Sequence, residues 1–328
     1  MAASYLVGVD LGGTKILTAL ADETGNVLTE IKVATEAAGG YAHVIDRLVD
    51  TIRQVREQAG VSAEAIKGVA VGSPGPLSAE SGVVHFAPNL GWRDVPIKKL
   101  LIERLKTRVF IDNDANLAAF GEFVYGAGQG VAHMVYFTVS TGVGGGLILD
   151  GRLYHGIGDG AGELGHMQIM PDGPLCACGA KGCLEALASG TAIARMAKEL
   201  VTNGKGQGIL EQAKGKADDI SAVTVATAAA AGDQEAKKII AQAAGYLGIG
   251  VAGVINIFNP ELVVFGGGVM EIGEPIWREI RREVAARAFH SSGKQANLVP
   301  AKLGQRAGVL GAVALCREKV AEMQFPNG

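Results

Sequence analysis

The sequence predicts an α/β fold built as two lobes, and three observations carry that expectation. The chain has 328 residues, more than one ordinary hydrophobic core organises. Short apolar strands alternate with longer stretches of helical periodicity. A strand–glycine loop–strand pattern appears at the start and returns near residue 140, which points to an internal duplication with one copy in each lobe.

In the first copy, Ser4–Val9 reads as a strand, Asp10-Leu11-Gly12-Gly13-Thr14-Lys15 as its loop and Ile16–Ala21 as the return strand. A turn at Glu23–Asn26 leads into a third strand, Val27–Val33. Val44, Ile45, Leu48, Val49, Ile52 and Val55 recur at helical spacing, so Tyr41–Ala59 is an amphipathic helix. Ile66–Val71 is a strand running into the rigid loop Ser73-Pro74-Gly75-Pro76. Arg108–Ile111 is a strand entering Asp112-Asn113-Asp114-Ala115-Asn116, where a helix starts that ends near Tyr125-Gly126. The second copy has strand Met134–Val139, glycine loop Ser140–Gly146 and strand Leu147–Asp150. Helices follow at Thr191–Leu200, Ala222–Ala231, Asp233–Ile257, Pro275–Ala288 and Ala307–Val320, with a strand at Glu261–Phe265 before Gly266-Gly267-Gly268. Residues 203–218, rich in Gly and Lys, read as a surface loop.

Composition narrows the function classes. Hydrophobic residues make up 48% and charged residues 19%, as in a globular protein. The formal charge of -3 suggests neither nucleic acid nor an anionic membrane as a partner. Met1-Ala2-Ala3-Ser4 lacks the basic start and cleavage site of a signal peptide, so a cytoplasmic location is expected. The longest apolar run, Ala243–Ile255, is shorter than the roughly 20 residues of a membrane span.

Three of the four cysteines lie close together, and no secreted context supports disulfides. His166, Cys176, Cys178 and Cys183 form a set of one nitrogen and three sulfur ligands, which zinc takes tetrahedrally. Four protein ligands leave no open position, so the site is structural. Cys316 lies on an apolar helical face and reads as core.

Asp10-Leu11-Gly12-Gly13-Thr14-Lys15 supplies backbone N–H groups, one hydroxyl and one cation, the donors a polyphosphate tail needs. Asp10 is placed to hold magnesium, directly or through water. A plain hairpin turn gets by with less. No G-x-x-x-x-G-K-[ST] motif is present, so this is not a P-loop enzyme. Gly160–Gly165 and Gly248–Gly253 match G-x-G-x-x-G, but neither follows a strand and opens a helix; the second sits inside an apolar helix, where Gly permits close packing.

Asp112, Asn113, Asp114 and Asn116 crowd one strand-to-helix junction. Capping needs one such residue, so the surplus favours a site for hydroxyls with a carboxylate as proton acceptor. Glu163 and Glu185 flank the metal segment, and a fixed zinc loop fixes both.

These strings resemble the ROK family of repressors, open reading frames and kinases, on its zinc-containing glucokinase branch. The matching segments are Asp10–Lys15, Ser73–Pro76, Pro88-Asn89-Leu90-Gly91-Trp92, Asn113–Asn116, Glu163–His166, Cys176–Glu185 and Gly266–Gly268. They run in family order from residue 10 to residue 268. The resemblance implies a two-lobed actin-like fold, ribonuclease H-like and shared with hexokinases. It implies a small lobe of residues 1–117 completed by a C-terminal helix at about 306–328, and a large lobe of 118–305 carrying the zinc loop. It implies transfer of the ATP γ-phosphoryl group to the 6-hydroxyl of glucose in the cleft between lobes, with Asp114 as general base. Gly75, Asn89, Asn113, Asp114, Glu163, His166 and Glu185 match sugar-binding positions, so His166 would serve both zinc and sugar. Asp10, Gly12, Gly13, Thr14, Lys15, Thr141 and Gly142 match the phosphate and magnesium sites, and Gly267 and Gly268 the loop under adenosine. ATP, magnesium and structural zinc are the implied cofactors, and a homodimer or homotetramer the implied assembly.

Relatives that phosphorylate N-acetylglucosamine, N-acetylmannosamine, mannose or fructose share the same loops. Sugar-responsive repressors of the family carry an N-terminal helix-turn-helix segment, and a first strand at about Ser4 leaves no room for one. Polyphosphate-dependent relatives tend to lack the zinc string, which favours ATP as donor.

Overall fold

Strands β1 (Tyr5–Leu11) and β2 (Lys15–Asp22) are buried along almost their whole length because both faces of their sheet are covered. The alternation of β2 shows how. Ile16 and Leu20 join the core formed with Val44, Ile45 and Leu48 of helix α1 (Gly40–Gln58). Leu17, Ala19 and Ala21 point the other way, onto Val309, Leu310 and Val313 near the C-terminus. Thr18 faces α1, and its hydroxyl meets that of Thr51 at 2.8 Å, which satisfies both in the core. The computed structural model describes residues 4–324; residues 1–3 and 325–328, the ends of the expected first lobe, lie outside the described residues.

Strand β3 (Val27–Ala34) alternates half-buried and exposed residues, as an edge strand does. Strand β4 (Ile66–Ser73) precedes a small antiparallel sheet of β5 (Leu77–Ser78), β6 (Val83–Ala87) and β7 (Trp92–Val95). Helix α2 (Ile97–Leu105), strand β8 (Val109–Asn113) and helix α3 (Asp114–Tyr125) follow. The main sheet has the order β3-β2-β1-β4-β8, with the first three strands antiparallel and the last two parallel to β1.

The next strands are β9 (Met134–Val139), β10 (Val143–Leu149) and β11 (Arg152–Leu153). After the metal segment come helices α4 (Leu184–Ala188), α5 (Gly190–Thr202), α6 (Gln207–Gln212), α7 (Ala222–Ala230) and α8 (Gln234–Phe258). Strand β12 (Leu262–Gly266), helices α9 (Glu274–Arg287) and α10 (His290–Gln295), strand β13 (Asn297–Pro300) and helix α11 (Ala307–Gln324) complete the chain. The second sheet has the order β11-β10-β9-β12-β13. Position for position this is the order of the first, so the repeated hairpin belongs to a repeated sheet.

The chain divides into two compact units. The first runs to Ala132 and includes Gly146–Gly162 and the chain from Ala301 onward; the second holds His133–Gly145 and Glu163–Pro300. This differs from a boundary at residue 117, which would cut α3. That helix stays in the first unit because it lies backbone to backbone on α11: a Cβ on Gly121 would strike the Ala307 carbonyl, and one on Gly311 the Leu117 carbonyl.

Two local expectations are corrected. The second glycine loop is shorter than its sequence, because β10 begins at Val143 and takes in Gly144–Gly146. Glycine is needed inside that strand, since a Cβ on Gly146 would meet the Ala119 methyl. The stretch 203–218 is not all loop: α6 forms within it and buries Ile209. Helix α8 is long and apolar enough to cross a membrane by length and composition, yet 61% of its apolar window is buried. It packs on α4, α7 and α9. A Cβ on Gly248 would lie 2.7 Å from that of Glu283 in α9, so this glycine serves helix packing as expected.

Candidate active site

The first group of expected residues lies in the first unit, at the ends of β1, β4 and β8. The β1–β2 loop is closed by Gly12 N–H donating to the Lys15 carbonyl at 2.9 Å. Thr35, fully buried just past β3, braces it: its hydroxyl donates to the Gly12 carbonyl at 2.7 Å and its N–H to the Thr14 carbonyl at 3.0 Å. Asp10 lies near the end of β1, between the buried Val9 and Leu11, and burial raises the pKa of its carboxyl, with Lys15 offsetting part of the shift. The start of α11 crosses directly over it, since a Cβ on Gly308 would lie 2.9 Å from the Asp10 carboxyl carbon. Gly13 sits against Asn89, where a Cβ would come within 2.8 Å of the Asn89 Cβ. The loop matched to phosphate and a residue matched to sugar are thus in contact.

Gly75 has φ 92°, and its Cα faces the Phe86 carbonyl so closely that no side chain fits. Asn113 Nδ2 donates to the Gly75 carbonyl at 3.4 Å. Asn113 is also the N-cap of α3, its side chain accepting from the N–H groups of Ala115 at 2.8 Å and Asn116 at 3.3 Å. Asp114 opens the helix, with its Oδ1 accepting from Ala115 N–H at 2.8 Å. A carboxylate in the first turn of a helix is favoured by the local dipole. The crowded junction therefore divides its work: Asn113 caps, Asp114 stands at the helix mouth, and Asp112 turns inward. Asp112 is buried; its Oδ1 accepts from Asn113 N–H at 2.7 Å and Asn116 Nδ2 at 3.1 Å, and its Oδ2 lies 2.7 Å from His155 Nε2.

The second group lies in the second unit. The ligand atoms of His166, Cys176, Cys178 and Cys183 all fall within 4.8 Å of one another. Sulfurs 2.3 Å from a tetrahedral zinc stand about 3.8 Å apart, and a sulfur and a nitrogen about 3.6 Å apart. Cys178 Sγ and Cys183 Sγ are 3.7 Å apart, as are Cys176 Sγ and His166 Nδ1. The cluster fits a zinc site. Burial pushes the Cys183 thiol up to about 12 and raises that of Cys176, whereas the Ala180 N–H holds Cys178 below its ordinary value. A metal must therefore displace protons as it binds.

Because Nδ1 faces the sulfurs, His166 Nε2 is directed elsewhere, to within 3.9 Å of Glu163 Oε2. Glu185 is pinned as well. Its Oε2 accepts from Val143 N–H at 3.0 Å, its Oε1 lies 3.8 Å from Cys176 Sγ, and Gly142 has no room for a Cβ beside it. The loop Ser140–Gly142 is tied to the start of α5, with Gly190 N–H donating to the Ser140 carbonyl at 2.7 Å and Thr191 Oγ1 to the Thr141 carbonyl at 2.7 Å. Gly267 has φ 91° and abuts the Val139 carbonyl, and Gly268 opens the short helical turn after it.

Sequence reasoning missed Thr35, Thr191 and His155. Thr35 and Thr191 carry no signal beyond a hydroxyl near a loop. His155 carries none either, because an acid at the α3 junction does not say which distant histidine meets it.

The ROK family profile matches residues 6–319. A curated glucokinase of Halalkalibacterium halodurans is 37% identical over 100% of this chain and 99% of its own length. A xylose repressor of Caldicellulosiruptor bescii is 33% identical over 94% of this chain and 77% of its own length. Among solved structures, a ROK family glucokinase from Streptomyces griseus in complex with glucose and AMPPNP is 35% identical, with a TM-score of 0.80 over 96% of this chain and 100% of its own. The fold is the actin-like fold of the hexokinases, and with the site it defines a phosphotransferase of the sugar-kinase class. Within that class the chain belongs to the ROK family.

Proposed function

We propose that the chain is an ATP-dependent glucokinase that transfers the γ-phosphoryl group of ATP to the 6-hydroxyl of D-glucose. The observation that carries this reading is the α3 junction, where Asn113 caps the helix and Asp114 places a carboxylate in its first turn. In this reading the glucose 6-hydroxyl donates to Asp114, which accepts its proton as the oxygen attacks the γ-phosphorus. Asn89, Asn113, Gly75, Glu163, His166 Nε2 and Glu185 hold the other hydroxyls. Gly12, Gly13, Thr14, Lys15, Thr141 and Gly142 offer donors to the phosphates, and Gly267 and Gly268 lie under adenosine. Asp10 would hold magnesium, which when bound supplies charge neutralisation between the phosphates. The zinc set would keep Glu163, His166 and Glu185 in place. Catalysis is then mostly positioning of the two substrates. A cytoplasmic, homo-oligomeric enzyme fits this reading.

The full-length match to a glucokinase supports glucose as the sugar. The match to a xylose repressor favours a second reading, a sugar sensor without turnover. Both are tested by ADP release with ATP and magnesium across glucose, mannose, fructose and the two N-acetylhexosamines. Preference for glucose supports the proposal. Preference for an N-acetylhexosamine overturns the sugar and keeps the chemistry. Sugar binding without turnover, in zinc-loaded protein, overturns the enzyme reading.

A further inference from the structure

His155 lies in a segment that no motif marked, two residues beyond β11. Its ring Nε2 is 2.7 Å from Asp112 Oδ2, and Asp112 is the buried acid immediately before the cap Asn113 and the base Asp114. The two oxygens of Asp112 do different work. Oδ1 ties down Asn113 N–H and the Asn116 side chain, both within the junction. Oδ2 reaches out of the junction to His155. A buried carboxylate is tolerated when a cation and hydrogen bonds satisfy it, and a protonated imidazole supplies both.

The segment is itself fixed. The His155 carbonyl accepts from Ala161 N–H at 3.1 Å, closing a tight loop. Within that loop Asp159, with φ 56°, accepts from Ala79 N–H at 2.8 Å through its Oδ2. Ala79 follows β5, in the small sheet that leads to Asn89. One loop thus ties the junction bearing Asp114 to the sheet that precedes Asn89. Asp112 from β8, Asp159 from the loop, and Glu318 and Lys319 from α11 surround the imidazole. The Asp112 hydrogen bond raises its pKa above the ordinary value of 6.5, and Asp159 adds to this against burial and Lys319.

We propose that His155 is a positioning residue for phosphoryl transfer: through Asp112 it holds the strand-to-helix junction in the geometry that presents Asp114 to the sugar hydroxyl. This rests on Asp114 being the base. The imidazolium also balances the Asp112 charge beside that base. Because the folded pKa is raised, the charged pair is complete at low pH and is lost as pH rises through that raised value.

The test combines His155→Ala, His155→Gln and Asp112→Asn with a proton NMR titration of the imidazole. Gln can donate to Asp112 without carrying charge. We expect His155→Ala to lower kcat by about tenfold or more while KM for ATP stays within about twofold. We expect His155→Gln to recover most of kcat and to lose the alkaline limb of the kcat–pH profile that wild type shows. The imidazole should titrate above 6.5 in wild type and fall in Asp112→Asn. A His155 that titrates at or below 6.5 in the wild-type enzyme overturns the proposal, whatever the variants do. So does a folded His155→Ala with kcat within about twofold of wild type, or an alkaline limb unchanged in His155→Gln. Full activity of Asp114→Asn would overturn the base and with it the positioning role, and it is told apart from failure of the His155–Asp112 pair because the titration and its dependence on Asp112 are read without turnover.

Discussion

Glu122 offers the sharpest stability prediction. It is fully buried on α3, two turns beyond Asp114, and its carboxylate accepts three backbone N–H groups. Oε2 takes Ala127 at 2.9 Å and Lys302 at 3.1 Å, and Oε1 takes Leu303 at 2.7 Å. One side chain therefore satisfies the turn after its own helix and the segment that leads into α11. In Glu122→Ala all three donors lose their acceptor. An orphaned buried N–H costs about 1–3 kcal/mol, so the loss is at least about 3 kcal/mol. In Glu122→Gln one oxygen remains and the new amide nitrogen faces donors, so about 1–3 kcal/mol is expected. Urea unfolding followed by far-UV circular dichroism reads this directly, as a lower midpoint with the slope unchanged. A fall in Tm of roughly 4 °C or more accompanies the Ala variant. A loss under about 1 kcal/mol in Glu122→Ala would refute the reasoning, because it would mean that water or a shifted loop replaces the carboxylate at no cost.

Asp114→Asn should fold and bind glucose while kcat falls by about a hundredfold or more, measured by coupled ADP release; near-normal turnover removes Asp114 from the base role. Cys183→Ser should release zinc and lower Tm, read by metal analysis and calorimetry; full zinc retention would place the ion elsewhere. Gly13→Ala puts a methyl against Asn89, so kcat/KM should fall by about tenfold with the fold intact; an unchanged value would show that the loop yields freely. Thiol titration of the zinc-loaded protein should leave Cys316 unreacted until unfolding, because burial pushes it up to about 12, whereas chelation should release the other three; rapid labelling of Cys316 in the folded state counts against this core.

The hairpins, the long helices and the metal set were legible because each follows from local pattern. Ile16 to Ala21 alternate because the strand has two covered faces, and the cysteines of the metal loop are close in sequence as well as in space. The domain boundary was less legible. Gly121 and Gly311 decide it, and nothing local says that two glycines 190 residues apart will meet. Asn113 was read for its chemistry, while its capping role shows only once the strand is seen to end there. The length of the second glycine loop was misjudged because Gly in a strand interior signals a close neighbour, here Ala119, that sequence does not name. His155 was invisible for a related reason: a buried acid implies a partner but does not say which histidine supplies it.

The close seating of α11 on α3 bears on how the chain is made. Ala132 and Ala307 are 175 residues apart, and translation at about 5–20 residues per second takes roughly 9–35 s to cover them. During that interval Leu17, Ala19 and Ala21 have no lid, because Val309, Leu310 and Val313 do not yet exist. The helix that covers this sheet face is thus made long after the face itself. A nascent chain of this topology spends its synthesis with an apolar sheet face open to solvent, the kind of surface that chaperones hold.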